Sequence, residues 1–387
     1  MSDEVGRRAL LVAAGTAGLM SLPALGETGA GVREEVAPSG FDPAPFAKQS
    51  IKFAVIGLDH YHIFGMTAAV QRGGGKLVKF FATDPKQIAD FKAKFGDIPL
   101  ARSEDEILHD KSIKLVAGAP IPDQRAPLGI RVMKAGKDYL SDKPAITTLE
   151  QLADVRKAVA ETRKKFAIMY SERLEVKAAI QAGYLVDAGA IGKVVQTINI
   201  APHRIGNADA GGRPDWFWQK PRYGGILTDI GSHQIEQFLY YTKSTSARVV
   251  ASQTANFNHP EHPEFEDFGD MIAVGNGGTG YIRVDWFTPD GLSTWGDGRL
   301  FILGTEGYIE LRKYIDVAGR PGGNHLFMVD KKGVRFIDCN NVVLPFGPQF
   351  VSDIIHRTET AQNQAEALLT AELVLTAEKN ATRAVLA

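Results

Sequence analysis

Two short stretches, far apart in the chain, hold side chains suited to proton transfer beside a developing negative charge. The first is Asp142-Lys143-Pro144, which closes a run that begins at Val132. The second runs from Gly224-Gly225 through Asp229 to His233. Together they offer a cation, an orienter and a base. Dehydrogenation of an alcohol needs that set: one group takes the hydroxyl proton while another stabilises the alkoxide that forms. If Asp229 and His233 share one helical turn they lie on one face, and Asp229 can orient or tune the imidazole. The competing reading is structural, because a histidine beside Ile235, Phe238 and Leu239 is often a satisfied core residue.

The elements that would carry these residues alternate in type. Lys52–Gly57 reads as a buried strand ending at a glycine turn, followed by a helix over about 61–71. Residues 76–84 form a second strand ending in an acid, and 85–95 a helix. A strand over 113–120 leads to a helix over about 127–135 that ends at Gly136. Residues 138–141 are a short strand running into Asp142. Thr148 is an N-cap with Gln151 three residues on, as in a capping box. Lys165–Tyr170 is the last strand of this series. The alternation predicts a parallel, doubly wound sheet of the Rossmann kind over 51–172.

After about residue 190 the pattern changes. Seven strand-like segments joined by short polar turns, between Val194 and Ile337, predict a large, open, mostly antiparallel sheet with one covered face. The overall expectation is an α/β protein with a second α/β domain over 173–350. Residues 351–387 return as helices, read over 350–357 and 364–382.

The 387 residues carry a formal charge of −1 and a hydrophobic content of 44%, which points to no nucleic-acid partner. A single cysteine, Cys339, excludes an internal disulfide and a multi-cysteine metal site. Arg7-Arg8 precedes a moderately apolar, glycine-containing run, so residues 1–30 have the pattern of a twin-arginine export signal. That run is too short for a stable membrane span. The expected location is periplasmic, with a cytoplasmic one as the alternative. Pro38, Pro43 and Pro45 mark 31–50 as a linker or an arm laid over another surface.

The strand, turn, helix and second-strand acid make a dinucleotide-binding arrangement. Gly57 permits the tight turn, and Asp84 at the next strand end suits a ribose diol, favouring NAD over NADP. The glycine fingerprint itself is incomplete, since Asp59 and His62 stand at the second and third glycine positions. Asp59, His60 and His62 also look like metal ligands, but neighbours at a helix start seldom converge on one ion, and no metal is expected there. His259 and His262 lie in a proline-stiffened segment and are read the same way. Trp216, Arg222 and Tyr223 follow Pro202-His203-Arg204; aromatic rings with arginines suit a sugar face, although a packed loop explains them equally. Trp295, Asp297 and Arg299 fit either a neighbouring subunit's site or a surface turn.

From about residue 50 to 385 the chain resembles the glucose–fructose oxidoreductase, inositol dehydrogenase and rhizopine-catabolism group, the Gfo/Idh/MocA family. The matches, in order, are the Gly57 turn, Asp84-Pro85, Ala135-Gly136-Lys137, Asp142-Lys143-Pro144, Tyr170 to Arg173, Ala190 to Val194, Gly224-Gly225, and Asp229 with His233. The resemblance implies a sugar, cyclitol or polyol oxidoreductase with NAD bound tightly. It makes Lys143, Asp229 and His233 catalytic. Gly57, Leu58, Asp59, His60, Asp84, Pro120, Asp142 and Lys143 become the cofactor contacts, with Arg173, Trp216, Arg222 and Tyr223 toward the substrate. The family's glutamate before the lysine is Asp142 here, and its proline, often cis, is Pro144. A histidine common in relatives after the fourth strand is absent, with Gln124 and Arg125 in that region. The second sheet implies a homodimer or homotetramer. Export would favour a cofactor recycled in place, including redox-neutral lyase, hydrolase or epimerase chemistry. A non-catalytic binding protein on the same fold is the remaining alternative.

Overall fold

In the computed structural model, residues 31–206 and 212–385 are described. The export-like segment of residues 1–30 lies outside them. The strands are β1 (Arg33–Val36), β2 (Ile51–Ile56), β3 (Gly75–Phe81), β4 (Ile113–Gly118), β5 (Asp138–Asp142), β6 (Phe166–Met169), β7 (Val194–Pro202), β8 (Ala247–Ala255), β9 (Phe268–Gly275), β10 (Thr279–Asp285), β11 (Arg299–Gly304), β12 (Gly307–Arg312), β13 (His325–Asp330), β14 (Gly333–Asp338) and β15 (Thr382–Arg383). The helices are α1 (His62–Arg72), α2 (Pro85–Phe95), α3 (Glu104–Leu108), α4 (Pro122–Lys134), α5 (Leu149–Thr162), α6 (Ser171–Leu174), α7 (Lys177–Asp187), α8 (Lys220–Tyr223), α9 (Ile226–Asp229), α10 (Gly231–Thr242), α11 (Phe346–His356) and α12 (Gln364–Asn380).

The first sheet is parallel throughout, in the order β3-β2-β4-β5-β6. Its inner strands are apolar without alternation, because helices cover both faces: Phe53 to Ile56 and Leu115 to Ala117 are all buried. The strand order reverses between β2 and β4, which opens a crevice at their carboxyl ends. The second sheet has ten strands, in the order β1-β14-β13-β12-β11-β7-β10-β9-β8-β15, and is mostly antiparallel. Leu300 and Ile302 of β11 point into the core, whereas Leu303 is 44% exposed. The helices α7 and α10 pack on the covered face. The opposite face carries Ile272, Leu303, Tyr308 and Val334, all exposed.

The structure departs from the sequence expectations in several places. Residues 33–36 of the proline-rich arm form β1, paired parallel to β14. Four mostly exposed residues with three charges give no hydrophobic signal for a strand. The helix expected from Pro127 begins at Pro122, with Pro127 inside it. Pro127 has no N–H for the carbonyl of Asp123, and the Gln151 side-chain amide donates to that oxygen instead, at 2.9 Å. The other end of Gln151 accepts from the backbone N of Thr147 while Thr148 caps α5, so the box closes one residue earlier than read. The penultimate helix starts at Phe346.

Candidate active site

The turn after β2 brings the chain against the end of β4. Gly57 has φ +81°, and a Cβ there would lie 2.8 Å from Pro120. A cleft of about 360 Å³ opens beside it. It is lined by Gly57, Leu58, Asp59, Thr83, Pro120 and Gln124, among others. Burial raises the Asp59 carboxyl from its ordinary value, with Gln87 bonding to it. Asp84, between the lining residues Thr83 and Gln87, caps α2 with one carboxylate oxygen, accepting from the N–H of Gln87 at 2.9 Å.

The end of β5 is the best-held part of the site. Asp142 is fully buried, and both its oxygens are engaged. Oδ1 accepts from the backbone N of Lys143 at 2.8 Å and lies 3.0 Å from His62 Nδ1. Oδ2 lies 2.7 Å from His60 Nδ1 and 3.1 Å from Arg125 Nη2. Arg125, only 1% exposed, also donates to the carbonyls of Pro120, Lys143 and Pro144. Despite its burial, Asp142 stays well below the usual carboxylate range, because Arg125 and the two histidines stabilise its charge. Burial, with His62 alongside, pushes His60 down to about 3. The adjacent histidines were not expected to converge; in the structure both turn onto one carboxylate.

The Lys143–Pro144 peptide is cis. The Lys143 side chain leaves β5 and crosses to α9, where Nζ donates to Asp229 Oδ1 at 2.9 Å. Asp229 is placed by the glycine pair before it. Gly225 has φ +92°, and a Cβ there would collide with the Glu378 carboxylate, which accepts from the N–H of Leu227. His233 lies in the first turn of α10, 2% exposed, with Nδ1 buried and free of partners among the described residues. Burial holds its imidazole well below the ordinary value, and the acid that most opposes this is Glu172. Asp229 therefore acts on Lys143, and the expected Asp229–His233 pairing is corrected.

Glu172, in α6, was not anticipated. It is buried, and Oε2 accepts from Gln234 and Lys313 at 3.0 and 2.9 Å. Its Oε1 makes no hydrogen bond among the described residues and stands 3.9 Å from His203 Nε2. Burial lowers His203 to about 4. Its ring lies 4.6 Å from Trp295 and 5.5 Å from Trp286. An aromatic wall thus surrounds His203, and Trp295 belongs to it within one chain.

Of the four substrate-side candidates, Arg173, Tyr223 and Arg222 already have protein partners. Arg173 is buried in an ion pair with Glu236 and lies over the Tyr240 ring. Tyr223 is buried, its hydroxyl accepting from the N–H of Glu266. Arg222 pairs with Asp123 at 3.0 Å, on the lining of the first-domain cleft. Trp216 is half-buried beside Phe217. Residue types that suit a sugar also suit ion pairs and packing, which single-sequence reading does not separate from ligand contact. The His259 segment is likewise internal: His259 Nδ1 meets Asp267 at 3.0 Å, and His262 stacks on Trp218.

Replacing Arg125 by Met would strand the Asp142 charge in the core. The expected loss of stability is about 3–5 kcal/mol by denaturant unfolding. Arg125→Lys should not recover it, because one ammonium cannot reach three carbonyls and a carboxylate. A stability loss under about 1 kcal/mol for Arg125→Met would contradict the assigned role.

Comparison with known proteins agrees with this architecture. Residues 51–170 match a model described as an oxidoreductase family with an NAD-binding Rossmann fold, and 180–310 a GFO/IDH/MocA C-terminal domain. D-xylose dehydrogenase of Paenarthrobacter nicotinovorans is 24% identical over 38% of this chain and 39% of its own length. The NADP-dependent scyllo-inositol 2-dehydrogenase of Bacillus subtilis is 24% identical over 49% and 52%. The matches thus span about two-fifths to half of these curated relatives. A crystal structure from Erwinia carotovora atroseptica, provisionally assigned as an oxidoreductase, is 50% identical, with a TM-score of 0.84 over 87% of this chain and 100% of its own. With both halves matched in order, the chain belongs to the Gfo/Idh/MocA family of NAD(P)-dependent oxidoreductases.

Proposed function

We propose that the protein oxidises a hydroxyl of a sugar, cyclitol or related polyol, or reduces the matching carbonyl, using a tightly held nicotinamide dinucleotide. The observation that carries this reading is the Lys143–Asp229 pair at 2.9 Å, in one site with His233, an imidazole that burial keeps neutral. Relatives named for D-xylose and scyllo-inositol support the substrate class.

The first-domain cleft suits the cofactor. Gly57 lets the turn adopt φ +81° and close on Pro120, and the backbone of that turn lines the cleft where a pyrophosphate would lie. Gly57, Leu58, Asp59 and Pro120 would hold that part, Thr83 and Gln87 the adenosine end, and Asp142 with Lys143 the nicotinamide end. Asp59 is the misfit, a carboxylate on the cleft wall where the fingerprint has glycine. When bound, the nicotinamide supplies the hydride acceptor or donor.

The chain's own residues handle the proton and the charge. Lys143 donates a hydrogen bond to the reacting oxygen and stabilises negative charge as it develops. Asp229 accepts from the ammonium at 2.9 Å and keeps it aimed. Neutral His233 accepts the hydroxyl proton. The buried charge of Glu172 favours a newly formed imidazolium at His233. His203, Trp286 and Trp295 offer rings for the C–H face of a sugar.

The outer face of the second sheet, with Ile272, Leu303, Tyr308 and Val334 exposed, supports assembly into a homodimer or homotetramer. Sedimentation as a monomer at micromolar concentration would contradict that. For the chemistry, purified protein is supplied with aldoses and inositols while nicotinamide absorbance is followed. His233→Ala should lower kcat by about 10²–10⁴-fold, and Lys143→Ala by about 10²–10³-fold. Turnover without net absorbance change would favour the redox-neutral alternative. Unchanged biological activity in Lys143→Ala would favour a binding protein.

A further inference from the structure

His60 and His62 have no part in the proton chemistry assigned above. The N–H of His60 donates to Ala119 at 3.1 Å, and His62 opens α1, so the turn sets both rings against the end of β5. The rings are 4.1 Å apart at 76°. One ligand atom from each of His60, His62 and Asp142 falls within 4.8 Å of the other two. No hydrogen bond among the described residues involves Nε2 of either ring.

We infer that His60, His62 and Asp142 form a binding site for a divalent first-row transition-metal ion. Ligand atoms about 2.1 Å from one ion, at right angles, stand about 3.0 Å apart. The nitrogen–oxygen separations here are 2.7 Å from His60 Nδ1 to Oδ2 and 3.0 Å from His62 Nδ1 to Oδ1, so each ring meets its own oxygen of the carboxylate. Two imidazoles and one carboxylate suit zinc, iron, cobalt or nickel, whereas magnesium and calcium favour all-oxygen sets. The carboxylate is held from behind by the N–H of Lys143 and by Arg125, as outer partners hold metal ligands elsewhere. The imidazoles are 17% and 23% exposed, so an ion can reach them. The Arg125 guanidinium, 3.1 Å from Asp142, opposes a second cation, so only an ion that gains direct nitrogen and oxygen ligation is held here.

Such an ion would stand near the Lys143–Asp229 pair with coordination positions left for oxygen. Vicinal hydroxyls, or a hydroxyl beside a carbonyl, would fill them as a chelate. That use of the ion rests on the polyol reading above; the binding itself does not.

The test uses the full chain stripped with a chelator, then titrated with Co²⁺ or Zn²⁺ alone, without nucleotide or sugar. One equivalent of Co²⁺ with a visible ligand-field spectrum, displaced by Zn²⁺, is expected. His60→Gln and His62→Gln keep an amide that can bond Asp142, and each should abolish that spectrum. Failure of the wild-type protein to bind a stoichiometric ion overturns the inference, whatever the variants do. Binding unchanged in both folded variants also overturns it and moves the ion elsewhere, for instance to the His259–His262 segment. Neither failure touches the hydride chemistry, which is read from nicotinamide absorbance.

Discussion

The site depends on one buried ion pair, Arg125 with Asp142. Two charges withdrawn from water are costly unless each finds several partners. Here the guanidinium satisfies three carbonyls as well as the carboxylate, and the carboxylate serves two imidazoles and a backbone N–H. The pair ties the ends of β4 and β5 together, and the two histidines bring the turn after β2 to the same carboxylate. Lys143 is the next residue after Asp142, so its backbone is fixed before its side chain reaches the second domain. A lysine has four rotatable stem bonds, and holding its root limits the freedom that must be lost on forming the pair with Asp229.

Charge in the site divides into two groups. Lys143 and Asp229 form one, and Glu172, Lys313, His203 and His233 the other. Low dielectric strengthens both, and the same burial keeps His203 and His233 neutral. A neutral histidine near an ammonium separates the acid and base roles without a shared proton. The carboxylate that compensates a charged His233 is Glu172, which comes from the strand–helix junction after β6.

Much of this was legible in the chain. Period and turn residues gave both sheets, because the parallel strands are covered on both faces and the later ones alternate. Asp142, Lys143, Asp229 and His233 were found from residue type and order. The pairing among them was not, because Asp229 and His233 lie in successive short helices rather than one continuous turn. Arg125 was visible only as the absence of an expected histidine. Glu172 finds Lys313 across 141 positions, and no local pattern encodes that contact. Arg173, Tyr223 and Arg222 have residue types suited to a sugar site, yet their partners Glu236, Glu266 and Asp123 occupy them. Asp84 shows the same limit: an acid at a strand end is also a good helix cap.

The claim most exposed to test is that the altered glycine turn still holds a dinucleotide in the same site as Lys143. The direct measurement is on protein purified without added nucleotide, denatured, with any released nicotinamide identified by mass spectrometry and absorbance. The account predicts stoichiometric NAD or NADP. An empty protein that also fails to bind either nucleotide when supplied would contradict it.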